Sequence, residues 1–155
     1  MVDVRRWCAS RRLQLNTDKT EAIWSRASID KLLSRDRTLT IGESTINTTD
    51  VVRNLGVLLD SQLSMKQHVA RAASVCFYHI RRLHQICRRV GQEVTTRLVL
   101  AMVTIRLDYC NSLLAPAGLP QSTLEPLQRV QNCAARLILN LMQRDHVTPA
   151  QWCNY

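Results

Sequence analysis

One stretch of this chain, Met65 to Gly91, gathers the side chains best suited to chemistry. Cys76, His79, His84 and Cys87 follow a C-x2-H-x4-H-x2-C pattern, and all four are zinc-ligand types. Arg71, Arg81, Arg82, Arg88 and Arg89 stand among them, with no acidic residue from Lys66 to Gly91. Guanidinium groups bind phosphate through planar, paired donors.

A helix decides between the two chemistries. Val69, Ala73, Cys76, Ile80, Leu83, Cys87 and Val90 recur at steps of four and three, which lays one apolar stripe along a helix. At about 100° per residue the five arginines share one arc on the opposite side, with Tyr78 among them. On the same helix Cys76 and Cys87 lie roughly 16 Å apart along the axis, and His79 and His84 point about 140° apart. Ligands must approach one zinc ion to about 2 Å, so the metal reading fails. Anion contact is the functional reading of the arginines, and a charged face that only meets solvent is the plain one.

This helix must be positioned by others. Ser64 with Gln67 reads as a capping box and Gly91 as a stop, giving about 26 residues and roughly 39 Å. Glu93 to about Leu114 is apolar nearly all round and is expected to be a buried central helix. After a Pro116–Pro120 linker, Ser122 and Glu125 form a second capping box. It opens a helix whose apolar face is Leu127, Val130, Ala134, Leu137, Ile138 and Leu141.

The first part has a different character. Val4 to Arg12 reads as a short helix with Val4, Trp7 and Cys8 on one face. Asn16-Thr17-Asp18 is turn chemistry, Thr20–Trp24 a strand and Ser28–Asp36 a weak helix. Thr38–Ile41 and Ser44–Asn47 flank Gly42-Glu43 as a hairpin. Val51–Leu59 reads as one strand that bends at Gly56. The expected class is α+β: a small N-terminal hairpin and strand element, residues 1–62, then a three-helix bundle, residues 63–145. A tail follows at 146–155.

Charge follows the same division. The 155 residues carry a net charge of +9. Residues 1–60 hold ten Lys/Arg against eight Asp/Glu, whereas residues 61–155 hold eleven against four. The surplus on the helical part suits a polyanion, with nucleic acid the first candidate and an anionic membrane surface the second. Met1–Arg12 has four arginines and no apolar run, so it does not read as a secretory signal. Leu98–Ile105 is too short to span a bilayer. A nuclear or cytoplasmic protein is expected, with its six cysteines as free thiols.

Self-contained catalysis finds little support. No two acidic residues are adjacent, and two-metal chemistry needs carboxylates clustered around ions about 4 Å apart. There is no Gly-rich phosphate loop, no G-x-S-x-G and no H-E-x-x-H.

Longer motifs add a family. Trp7 followed by Leu13-Gln14-Leu15-Asn16-Thr17-Asp18-Lys19-Thr20-Glu21 resembles the tryptophan and L-x-L-N-x-x-K-T-E segment just past the catalytic aspartates of LINE-type (non-long-terminal-repeat) retrotransposon reverse transcriptases. Val52-Arg53-Asn54-Leu55-Gly56-Val57-Leu58-Leu59-Asp60, with Leu63 and His68, resembles that family's next strand and turn. Arg106-Leu107-Asp108-Tyr109-Cys110-Asn111, Gly118-Leu119-Pro120, Leu127-Gln128-Arg129-Val130-Gln131-Asn132 and Ala134-Ala135-Arg136 resemble its downstream helices. The motifs keep the family's order over residues 4–150. Pro116-Ala117 looks like an insertion, and residues 151–155 depart from the pattern.

The resemblance implies a fragment of an RNA-directed DNA polymerase: palm end, primer grip around Leu55 and Gly56, and a thumb that grips template and primer by their backbone. Lys19 matches a lysine that stands near departing pyrophosphate as a proton donor. The paired aspartates and their Mg2+ belong upstream, so the expectation is a chain without its own metal or catalytic activity, partnered by fingers and the rest of the palm. The reading from another class is a non-catalytic helical interaction module. In it the apolar stripe seeks a protein and the arginines only solubilise.

Overall fold

Turn chemistry organises the first part of the chain and helical periodicity the second. The computed structural model describes residues 2–23, 38–41, 44–109 and 118–142, which fall into two units, 1–64 and 65–155. The fold is α+β: small antiparallel hairpins, then long helices.

In the first unit α1 spans Val2–Ser10, with the Ser10 hydroxyl donating to the Trp7 carbonyl at 2.7 Å. Cys8 is half-buried, while Val4 and Trp7 are exposed. Asn16 caps a single 3-10 turn, Thr17–Lys19, by accepting from the backbone N–H of Asp18 (3.0 Å) and Lys19 (3.2 Å). The short Asx side chain satisfies donors that such a turn leaves open. The strand expected at Thr20–Trp24 is reduced to one parallel bridge, Ala22 to Thr48. Trp24 and the helix expected at Ser28–Asp36 lie outside the described residues.

Strand β1 (Thr38–Ile41) pairs with β2 (Ser44–Asn47), Thr38 opposite Asn47 and Ile41 opposite Ser44. Those bounds match the sequence reading, and the Gly42-Glu43 turn is outside the described residues. Val51–Leu59 is not one bent strand. It is a second hairpin, β3 (Val51–Asn54) with β4 (Val57–Asp60), turned by Leu55 and Gly56. Both turn residues have positive φ, 48° and 88°. A two-residue turn of that hand matches the right-handed twist of the strands it joins.

The second unit begins with α2, Lys66–Val99. Its N-cap is Met65 in the left-handed region, with no side-chain cap bond. Ser64 therefore does not cap it. Its N–H (2.6 Å) and its hydroxyl both donate to the Asp60 carboxylate. Gly91 does not stop α2 but kinks it, with φ 79° and ψ 169°. The helix resumes as a second limb, passes through a π turn at Leu100–Thr104 and ends in α3, Ile105–Asp108. In that limb Thr95, Val99 and Val103 are buried and Leu107 half-buried, at steps of four. The wider π turn keeps such residues in line where an α-helix would rotate them away.

That limb is buried on one side only. Val94, Leu100, Met102, Ile105 and Tyr109 are exposed, so the all-round burial expected for Glu93–Leu114 is not found over residues 93–109, and residues 110–114 lie outside the described residues. An apolar run cannot tell a buried helix from one with an apolar outer face. Helix α4 spans Gln121–Leu139 with Pro120 as N-cap, so Ser122 lies inside the helix, and Glu125 pairs with Arg129 instead of closing a box.

All three limbs meet in one core. The first limb of α2 supplies Ala73, Cys76, Ile80 and Leu83, the second supplies Val99 and Val103, and α4 supplies Val130, Ala134, Leu137 and Ile138. The Cys76 thiol, fully buried, reaches the Val103 carbonyl at 3.9 Å. Leu127 packs on this core as the apolar face read for α4 requires, whereas Leu141 lies past the helix end at Leu139 and is half-buried there.

Candidate nucleic-acid interface

The first limb of α2 is two-faced because its side chains are. Val69, Ala73, Cys76, Ile80 and Leu83 are buried, while Arg71, Arg81, Arg82, Arg88 and Arg89 are all exposed. The kink at Gly91 falls after the last of them, so their helical arc is unbroken. From Arg71 to Arg89 the rise of a helix gives roughly 27 Å.

The arginines differ in what holds them. Arg82 donates from Nη1 to the Tyr78 hydroxyl at 2.9 Å and lies over the Tyr78 ring, 5.6 Å from its centroid. Arg81 donates from Nε to the Phe77 carbonyl at 3.4 Å. Among the described residues, none of the five pairs with a carboxylate. The two ion pairs found there are Arg97 with Glu93 (2.7 Å) and Arg129 with Glu125, each four residues apart on an exposed helix surface. Glu93 and Glu125 are thus engaged with arginines outside the arc.

Two further charged or titratable groups lie near the first limb. His79, half-buried beside Tyr78, packs edge-on to its ring at 5.4 Å. Burial lowers the His79 pKa below the usual imidazole value, and the charges of Arg106 and Arg82 lower it further. Arg106 sits on α3 and is far from the arc in sequence. It also acts on Cys76, whose thiol burial pushes up and Arg106 pulls down. The sequence reading does not include Arg106 among the phosphate ligands. The kink at Gly91 and the π turn, whose geometry periodicity does not report, return it to the first limb.

The cysteine and histidine pattern dissolves as a metal site. Cys76 is in the core, and Cys87 bonds through its thiol to the His84 carbonyl at 3.2 Å. Cys8, Cys76, Cys87 and Cys133 are free thiols, and no three His, Cys, Asp or Glu side chains converge among the described residues.

The remaining candidates lie in the first unit. Lys19 is exposed on the 3-10 turn, its backbone N–H held by Asn16. Leu55 and Gly56 form the tip of the β3–β4 hairpin, with Leu55 84% exposed. No described helix is long and apolar enough to cross a membrane. Compared with protein-family models, curated proteins and solved structures, the chain matches none.

Proposed function

We propose that the second unit grips nucleic acid by its sugar-phosphate backbone, as a thumb-like element of a LINE-type retrotransposon reverse transcriptase. One observation carries the reading: five exposed arginines on one helical arc, none paired with a carboxylate among the described residues. Cations left without protein counter-charges are available to phosphates, and contacts of this kind position a duplex without reading its sequence.

The motif order supports the family. The Leu55-Gly56 tip takes the primer-grip role and Lys19 the role of proton donor to pyrophosphate. The paired aspartates, their Mg2+ and the RNA-directed DNA synthesis they perform belong to a palm and fingers that partner this chain. Among the described residues no three His, Cys, Asp or Glu side chains come together to offer such an ion a site.

A second reading is a helical protein-interaction module; the stripe first read as its docking surface is buried from Val69 to Leu83, so it draws instead on the outer face of the second limb. Val94, Leu100, Met102, Ile105 and Tyr109 expose apolar surface there.

Filter binding of the full chain to a B-form duplex, titrated against salt, tests the choice. Backbone contact predicts log K falling linearly with log salt, by about 0.9 per phosphate neutralised. Replacing all five arginines by glutamine is expected to abolish that dependence. Affinity that ignores salt, with persistent self-association in sedimentation, would favour the interaction module.

A further inference from the structure

A cleft of about 520 Å³ opens at the Gly91 kink, lined by Cys87, Arg88, Gln92, Thr95, Leu137, Ile138 and Asn140. The volume lies within the roughly 300–1,000 Å³ of small-molecule sites. Its lining is chemically mixed. Leu137 and Ile138, both core residues, are its apolar members with the Cys87 side chain. Gln92, Asn140 and Thr95 bring amides and a hydroxyl, and the Thr95 Oγ1 donates to the Gly91 carbonyl at 2.7 Å, which leaves its oxygen as an acceptor. Arg88 supplies the one charge among these lining residues, and it belongs also to the arginine arc.

A ligand matching this lining combines an apolar body, hydrogen-bond donors and acceptors, and an anionic group. That is a nucleotide. We infer that the cleft seats one unpaired nucleobase of a strand whose phosphates lie on the arginine arc, with Arg88 taking the phosphate between them. This rests on the backbone-binding reading and adds a preference to it: a strand with an unpaired terminal base is held better than a blunt duplex. The cleft depends on the kink, because a straight helix would carry Gln92 and Thr95 on along the first limb's axis.

The full chain is titrated with adenosine monophosphate and with inorganic phosphate while backbone amides are followed by NMR. It is also titrated with a blunt duplex and the same duplex bearing one unpaired nucleotide. Adenosine monophosphate is expected to move the amides of residues 87–95 and 137–140, and phosphate alone only those near Arg88. The overhang is expected to bind about threefold to fivefold tighter, the gain from covering a small apolar face. Gln92→Trp, at an exposed rim position, plugs the cleft and is expected to remove both effects while blunt duplex still binds. Asn140→Gly keeps the left-handed helix end and is expected to weaken only the overhang. Unmoved cleft amides, with blunt and overhung duplexes bound equally and with salt dependence, would overturn the cleft and leave the arginine arc standing. Cleft amides that respond to the nucleotide in a chain that ignores duplex would uphold the cleft and remove the arc.

Discussion

Arg82 lies across the ring of Tyr78, one turn before it on α2, and donates to the hydroxyl of that same residue. One aromatic side chain thus orients a guanidinium on the exposed face twice, through its π surface and through its oxygen. A preset cation loses less freedom on meeting a phosphate. Tyr78→Phe keeps the ring and is expected to cost little affinity for duplex. Tyr78→Ala removes both constraints and is expected to weaken binding by roughly twofold to fivefold, consistent with about 0.5–1 kcal/mol for an exposed contact of this kind. Anisotropy titrations of the two variants at one salt concentration check the order.

Salt dependence separates arginines by their neighbours. Arg→Gln at 71, 81, 82, 88 or 89 is expected to reduce the slope of log K against log salt by about 0.9 each. Arg97→Gln is expected to change it far less, because Glu93 already holds that guanidinium. Equal effects at Arg97 and Arg88 would mean that net charge alone, rather than the arc, draws the polyanion.

Much of this architecture is legible in residues, and the rest fails for identifiable reasons. The apolar stripe from Val69 to Leu83 and the face from Val130 to Ile138 are buried as their spacing requires, since periodicity reports burial directly. The β1–β2 hairpin is marked by Gly42-Glu43 between two extended runs. The β3–β4 hairpin is hidden because Leu55 is not a turn-forming residue and Gly56 alone reads as a bend. Both helix starts mislead in the same way: Met65 and Pro120 cap by backbone geometry, with no side-chain bond for a motif to announce. Gly91 is recognisable as a break in α2 and a helix is expected again from Glu93, but neither the angle between the two limbs nor the π turn at Leu100–Thr104 has a local signal. For that reason neither Arg106 nor the cleft could be placed from sequence.

The turn that hid the hairpin also offers a gain in stability. Leu55 holds φ 48° while 84% exposed, a conformation that costs an ordinary L-residue about 1–2 kcal/mol. Asparagine tolerates that region, and Asn-Gly is the favoured pair for such turns. Leu55→Asn is expected to stabilise the first unit by up to about 1 kcal/mol, seen as slower amide exchange across β3 and β4. A faster exchange would show that the leucine side chain, not the backbone, sustains the tip.

Gly91 is a stricter case. Its φ of 79° with ψ of 169° lies in a region that is essentially glycine's alone. A Cβ built there meets nothing within 4 Å, so the penalty of Gly91→Ala is torsional and not steric. The variant is expected to lose about 1–3 kcal/mol in urea denaturation, or to straighten α2 and draw Val99 and Val103 from the core. Straightening should also close the cleft. Gly91→Ala with unchanged stability and unchanged α-helical signal would contradict the kink.

His79 predicts opposite pH responses for folding and for binding. Burial, with Arg106 and Arg82, depresses its folded pKa below the 6.5 of a free imidazole. Between that folded value and 6.5 the unfolded chain binds a proton that the folded chain resists, so stability falls as pH is lowered through this window. Above 6.5 the curve is flat, and below the folded pKa it flattens again. His68 is depressed by burial alone and adds to the same slope. A polyanion lying beside Arg82 acts in reverse, since its charge favours the imidazolium and affinity then rises as pH falls. His79→Gln removes the first residue's share of both trends, leaving His68 to contribute only to the stability curve. Urea midpoints and duplex affinities measured from about pH 7.5 to about pH 5 separate the two. If His79→Gln altered stability but left the pH dependence of binding intact, nucleic acid would not pass beside Arg82, and the grip would have to lie toward an end of the arc, at Arg71 or at Arg88 and Arg89.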